Sequence, residues 1–306
     1  MCSLRNFQSS IFNSQFALRH GFLLINKERG PTSHDVVSAV RRRLHEPKAG
    51  HLGTLDPMAT GLLVVAVGAK ALKVVELFKN LTKEYVAGIT LGAVSNTYDA
   101  EGMITESPYR AGWQPPVDTA PIQVIIKDRF LGRFSQVPPA HSAVHVGGVR
   151  AYELARSGKP IAIVAREVDI TACEILEYSY PHLKLRIACS SGTYIRALAH
   201  DLGQAMRCGG YLESLERTRV GEWAVDVAHL SNDVDWKHVI PLKEILKVFP
   251  GVEIGDKEWG ELKHGRSIDG LMQDPTLIAW FEGLPVAILE TDSKRNGYLK
   301  PRKVIS

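Results

Sequence analysis

Six consecutive apolar residues, Leu62-Leu63-Val64-Val65-Ala66-Val67, stand between Gly61 and Gly68 with no polar residue among them. A short, valine-rich, glycine-bounded run without alternation reads as a strand covered on both faces, so the sheet that holds it must be sandwiched between other layers. Immediately before it, residues 50–61 read Gly-His-Leu-Gly-Thr-Leu-Asp-Pro-Met-Ala-Thr-Gly. Its single carboxylate, Asp56, lies between Leu55 and Pro57, with His51 a few residues upstream. Pro57 fixes its own φ and biases Asp56 away from the helical region. Gly50, Gly53 and Gly61 admit backbone conformations that other residues resist. Such a loop either presents a catalytic carboxylate or makes an Asp-Pro turn, and its residues alone leave both readings open.

The neighbouring elements are readable by their periods. Residues 22–26 form a short apolar strand, followed by the turn-forming Lys27-Glu28-Arg29-Gly30-Pro31. Thr32 or Ser33 caps a helix in which Val36, Val37, Val40 and Leu44 recur at helical spacing. It ends in Arg41-Arg42-Arg43, a cationic last turn read as a solvated helix end, with phosphate contact as the competing account. Residues 70–79 look helical. Residues 84–91 alternate, turning Tyr85, Ala87, Ile89 and Leu91 to one face. Residues 105–121 contain four prolines and read as loop. A short helix is expected at Tyr152-Glu153-Leu154-Ala155-Arg156. Residues 183–189 alternate again, with Leu183, Leu185, Ile187 and Cys189 inward. A helix with the stripe Ile195, Leu198, Leu202 and Met206 follows, ended by Gly209-Gly210. Arg196, a cation in that helix's first turn, is mildly disfavoured by the dipole and invites a carboxylate partner, with a surface accident as the competing account. After a helical stretch at 242–248, the remainder is short strands and turns with a basic end (Lys294, Arg295, Lys300, Arg302, Lys303).

Composition sets wider bounds. The chain has 306 residues, 45% hydrophobic and 23% charged, an ordinary balance for a globular enzyme. At roughly 150 residues per domain that length allows about two domains. Lys and Arg total 37 against 33 Asp and Glu, a net charge of +4 that is compatible with an RNA partner. The four cysteines form no Cys-x-x-Cys pair or disulfide framework, so a reducing, cytoplasmic compartment is expected. No apolar run approaches a membrane span. Residues 1–20 carry Arg5, Arg19, serines and no acid; they read as a disordered extension, with an organelle transit peptide as the alternative. His141 and His145 have the i, i+4 spacing of a metal pair, but no third ligand follows, so no metal is expected.

Read together, several segments resemble the TruB family of tRNA pseudouridine synthases, bacterial type, from Gly21 to the end. They are residues 21–27 with Gly30-Pro31-Thr32-Ser33, the 50–61 loop, Lys83-Glu84-Tyr85, and Asn96-Thr97-Tyr98-Asp99-Ala100-Glu101-Gly102. Further along come Gln136-Val137-Pro138-Pro139, Ser142-Ala143, Arg150-Ala151-Tyr152-Glu153-Leu154-Ala155-Arg156, and Ser191-Gly192-Thr193-Tyr194-Ile195-Arg196. The closing residues 297–304 are similar to the end of a PUA-type RNA-binding domain. The resemblance implies an α+β fold: a catalytic domain over 21–245 with a mixed, mostly antiparallel sheet flanked by helices, and a small β-rich PUA-like domain over 249–306.

It also implies a reaction, the isomerisation of uridine-55 in the tRNA T loop to pseudouridine by base flipping. That chemistry needs an ionised carboxylate and no cofactor or metal. Asp56 matches the family's catalytic aspartate, acting at ribose C1′, at uracil C6 or through loss of a C2′ proton. Arg196 matches the arginine that pairs with it, and Tyr85 the tyrosine that stacks on the uracil. Tyr194 matches a pocket wall, and Lys27 a basic residue that supports the aspartate loop. His51 matches the histidine that fills the space left by the extruded base. The implied partner is the T stem-loop of tRNA, bound by a monomer. One departure is His145, where the family often has lysine. The rival function is a non-catalytic RNA-binding or RNA-folding protein using the same groove.

Overall fold

The computed structural model describes residues 20–108, 112–140, 145–146, 149–150 and 163–305. In chain order the strands of the first part are β1 (Gly21–Lys27), β2 (Ala49–His51), β3 (Thr60–Val67), β4 (Lys83–Leu91), β5 (Ala93–Ser95), β6 (Ile104–Glu106) and β7 (Gly132–Gln136). A hairpin of β8 (His145–Val146) and β9 (Val149–Arg150) precedes β10 (Arg166–Ser179), β11 (His182–Cys189), β12 (Gly210–Val220), β13 (Trp223–Ala224) and β14 (Ile240–Pro241). The last part holds β15 (Gly251–Glu253), β16 (Ile268–Asp269), β17 (Leu277–Phe281), β18 (Leu284–Thr291) and β19 (Tyr298–Val304).

The main sheet has ten strands in the order β14-β1-β3-β12-β4-β11-β10-β7, with β2 paired to β3 and β13 to β12. Every pairing is antiparallel except β3 with β12, where Gly61 lies opposite Arg217. The α+β reading, with a mixed and mostly antiparallel sheet, therefore holds. At the parallel seam Gly61 has φ 95°, and a Cβ there would collide with the Arg217 backbone, so only glycine lets the two strands close.

β3 is buried on both faces because each face has its own core. Leu63, Val65 and Val67 pack with Leu23 and Ile25 against the helices Ser33–Leu44 and Ile195–Ala205. Leu62, Val64 and Ala66 pack with Phe22 and Leu24 against the helical segment 69–78 and Leu242, Ile245 and Leu246. That second core also takes Ile278, Ile288 and Ile305 from the C-terminal five-stranded sheet β15-β17-β18-β19-β16, which docks there rather than standing apart. β4 and β11 do alternate, with Tyr85, Ala87, Ile89 and Leu91, and Leu183, Leu185, Ile187 and Cys189, on the covered face.

Other expectations are corrected. The solvated reading of the arginines closing the helix Ser33–Leu44 holds for Arg42 and Arg43, which are exposed, although Arg43 also donates to the Val234 carbonyl at 3.1 Å. It is corrected for Arg41, which is partly buried and donates to the Ala49 carbonyl at 2.5 Å. The helix Ile195–Ala205 ends before the glycines, because Arg207 takes a left-handed φ of 57° and Gly210 already opens β12. The helix Asp256–Leu262 lies where only strands and turns are expected, and Ala120–Arg129 begins inside the proline-rich stretch. His141, residues 152–156, residues 1–19 and the side chain of His145 lie outside the described residues.

Candidate active site

The Asp56 loop is held from three sides. Ser33, the first residue of the helix capped by Thr32, both donates to the Leu55 carbonyl (2.9 Å) and accepts from the Leu55 amide (2.8 Å). Lys27, at the end of β1 and buried, donates to the carbonyls of Glu28 (2.9 Å), Pro57 (3.1 Å) and Ala59 (2.7 Å). Its ammonium is thus bonded to loop backbone, and burial lowers its pKa against the opposing pull of Asp56. Arg217, the largest fully buried side chain, reaches across the parallel seam to the carbonyls of Leu62 (2.7 Å) and Gly53 (3.1 Å). Gly53 has φ 116° and lies against Lys83 and Arg217. A loop bonded at Gly53, Leu55, Pro57 and Ala59 holds the intervening Asp56 in one place.

At that place Arg196 meets it. Its Nε lies 3.0 Å from Asp56 Oδ2 and its Nη1 3.1 Å from Asp99 Oδ2. The side chains of Arg196 and Asp99 are 8% and 5% exposed, whereas that of Asp56 is 35% exposed. Arg196 is therefore fixed by a buried carboxylate on one side and offers its charge to an accessible one on the other. The partner that the helix dipole calls for is a pair of carboxylates, one of them not expected.

Asp99 is the site residue that the sequence reading missed, although its segment was among the matching motifs. Residues 95–103 are bonded to themselves: Asp99 Oδ1 accepts from Thr97 Oγ1 (2.5 Å) and from the Glu101 amide (3.1 Å), and Asn96 Oδ1 accepts from the Met103 amide (2.8 Å). A Cβ at Gly102 would collide with the side chains of Ser95, Asn96 and Thr97. An Asp with a Gly three residues later inside such a polar run was the available signal.

Tyr85 stands on β4 opposite Arg217 of β12 and Ile187 of β11. Burial raises its pKa, only partly offset by the Arg217 guanidinium, so its hydroxyl stays protonated at neutral pH. His51, at the end of β2, has a pKa lowered by burial and by Arg217, and its Nδ1 is buried without a hydrogen-bond partner. Its imidazole is neutral at pH 7. Lys83, two residues before Tyr85 on the same face, is pushed down to about 8 by burial and by Arg217. Tyr194 caps the helix Ile195–Ala205; Gln136 accepts from its amide (2.9 Å) and donates to its carbonyl (3.1 Å). Among the described residues no group of His, Cys, Asp and Glu is arranged to hold a metal ion, and no helix is long and apolar enough to cross a membrane.

Around the accessible Asp56 the structure thus gathers Lys27, Arg196 and Arg217, with Asp99 and Glu101 as further carboxylates. Residues 41–195 match the model described as TruB family pseudouridylate synthase, N terminal domain. A protein of Syntrophomonas wolfei named tRNA pseudouridine synthase B is 39% identical over 300 residues, covering 93% of this chain and 98% of its own. One of the same name from Leifsonia xyli is 40% identical over 290 residues, covering 92% and 93%. Among solved structures, a chain of an H/ACA ribonucleoprotein bound to a substrate RNA containing 2′-deoxyuridine superposes with a TM-score of 0.69 at 23% identity, over 96% of this chain and 87% of that one. A chain of a Cbf5–Nop10–Gar1 complex does so with a TM-score of 0.69 at 24% identity, over 95% and 87%. These last two share the fold.

Proposed function

The chain belongs to the TruB family of pseudouridylate synthases, and we propose that it isomerises uridine-55 of the tRNA T loop to pseudouridine, with Asp56 as its catalytic carboxylate. The observation that carries this reading is the ion pair of Asp56 with Arg196 at 3.0 Å, in a loop whose backbone is bonded on both sides of the aspartate. The reaction breaks the C1′–N1 bond, turns the uracil and rejoins it through C5, releasing the C5 proton. It is redox-neutral, and an ionised carboxylate supplies the nucleophile or base it needs. Arg196 keeps that carboxylate charged when a nucleotide excludes water.

The remaining roles are those that the family resemblance implies. Tyr85, a buried, protonated phenol, stacks on the uracil, and Tyr194 walls the pocket. Lys27 supports the loop. His51, neutral and short of a partner, occupies the space of the extruded base rather than moving protons. Flipping costs least for a base already in a loop, and an aromatic platform offsets part of it. Residues 21–245 are the catalytic domain, and residues 249–306, basic at their end, a PUA-like RNA-binding domain. The protein acts as a cytoplasmic monomer on the T stem-loop.

Asp56→Asn is expected to abolish tritium release from a T-stem-loop RNA labelled at uridine C5 while RNA binding persists. Undiminished turnover by that variant overturns the assignment. Wild-type protein that binds the RNA but releases no tritium favours the non-catalytic RNA-binding reading instead.

A further inference from the structure

We propose that Arg166 binds a backbone phosphate of the RNA beside the nucleotide held at Asp56, an inference that rests on the RNA-isomerase reading above. Arg166 opens β10 and pairs in register with Gln136 of β7. Gln136 is the residue that clamps the Tyr194 backbone, and the Arg166 guanidinium lies over the Tyr194 ring, 4.3 Å from its centroid. Arg166, Gln136 and Tyr194 therefore form one unit at the head of the helix that carries Arg196.

The guanidinium in this unit lacks the partners that the neighbouring arginines have. Arg217 is spent on carbonyls and Arg196 on carboxylates. Arg166 has Nε and Nη2 withdrawn from water with no hydrogen-bond partner. The stack on Tyr194 engages the face of the cation and leaves its in-plane donors unmet. A charged fork without an acceptor is stabilised by an anion, and the planar guanidinium matches a phosphate with two parallel bonds. Arg166 as a whole is only partly buried. Gly192, with φ 92°, turns the chain beside the guanidinium, close enough that a Cβ there would touch it at 3.6 Å. Tyr194 lies two positions from Arg196, which places the bound phosphate next to the target nucleotide. Such a contact sets register and orientation of the RNA without reading its sequence.

The test uses the full chain, a T-stem-loop RNA, and the variants Arg166→Gln and Arg166→Lys. Affinity is measured across a series of salt concentrations, and the single-turnover rate at saturating RNA. Loss of one phosphate contact is expected to make the slope of log affinity against log salt shallower by about 0.7 to 0.9 in Arg166→Gln. Affinity at moderate salt falls about tenfold, the saturating rate stays within about threefold, and Arg166→Lys keeps the wild-type slope. An unchanged slope in Arg166→Gln overturns the proposal, and if the saturating rate also falls, Arg166 only props Tyr194. Should Arg166→Gln misfold, a folded Arg166→Lys with an altered slope overturns it equally. Failure of the wild-type protein to convert the RNA counts against the isomerase reading, whereas the slope difference scores Arg166 by itself.

Discussion

Arg196 divides its guanidinium between Asp99, which is buried, and Asp56, which is not. Taking three charges partly out of water is costly unless each is bonded. Here Asp99 has its own donors, Thr97 Oγ1 and the Glu101 amide, so Arg196 is anchored without drawing on Asp56. The accessible carboxylate is left with a positive neighbour and room for a ligand. Lys83 shows the opposite case, a buried ammonium bonded to the Leu81 carbonyl at 3.2 Å and facing Arg217. Its pKa is pushed from 10.5 down to about 8. Between those values the unfolded chain holds more protons than the folded one, so stability rises with pH through that window. Below pH 8 the full cost of the charge is present, on the order of 3 kcal/mol at most. Lys83→Met is expected to remove this rise, measured as urea midpoints from pH 7 to 10.5. A rise that survives the substitution assigns the titration to another group.

The loop of residues 50–61 is shaped by elements remote from it in sequence. β1 supplies Lys27, the helix Ser33–Leu44 supplies Ser33, and β12 supplies Arg217. Ser33→Ala strips both buried polar groups of Leu55, an expected cost of about 1–3 kcal/mol. With Asp56 released to move, the turnover rate should fall by more than the affinity for RNA, because small misplacements weigh on the chemical step. Equal losses in stability and rate constants across Ser33→Ala and a distant core variant would show that Ser33 does no positioning. The helix's first turn reads plainly as a cap in the sequence, with Thr32 accepting from Asp35. That its next residue reaches back to Leu55 does not, since nothing in a hydroxyl indicates which of two remote peptide groups it will bond.

Across the whole molecule, β3 links the parts. One of its faces belongs to the core above the site, and the other shares a core with Ile278, Ile288 and Ile305 of the C-terminal sheet. Lys303 and Arg302 add ion pairs to Glu76 across the same boundary, at 2.6 and 3.3 Å. Ile288→Ala is expected to cost about 2–5 kcal/mol and to lower hydrogen-exchange protection in β1 and β3 as well as in β18. Loss confined to β17, β18 and β19 would show that the two cores are energetically separate.

The period of apolar residues determined β1, β3, β4, β11 and the helices 33–44 and 195–205, because burial of a face imprints its spacing directly on the chain. The run at 62–67 even announced two covering layers. Spacing and glycine placement marked the Asp56 loop as special, and the order of short motifs carried the family. What the sequence left undecided was the set of partners: Asp99 on Arg196, Arg217 across the parallel seam, Arg41 on the nearby Ala49 carbonyl, Arg43 on the distant Val234 carbonyl, and Arg166 on Tyr194. Those pairings join residues up to nearly two hundred positions apart. A hydrogen bond or ion pair leaves no period in the sequence, so only tertiary closure of β3 on β12, and of the helix 195–205 on both, chose which charge meets which.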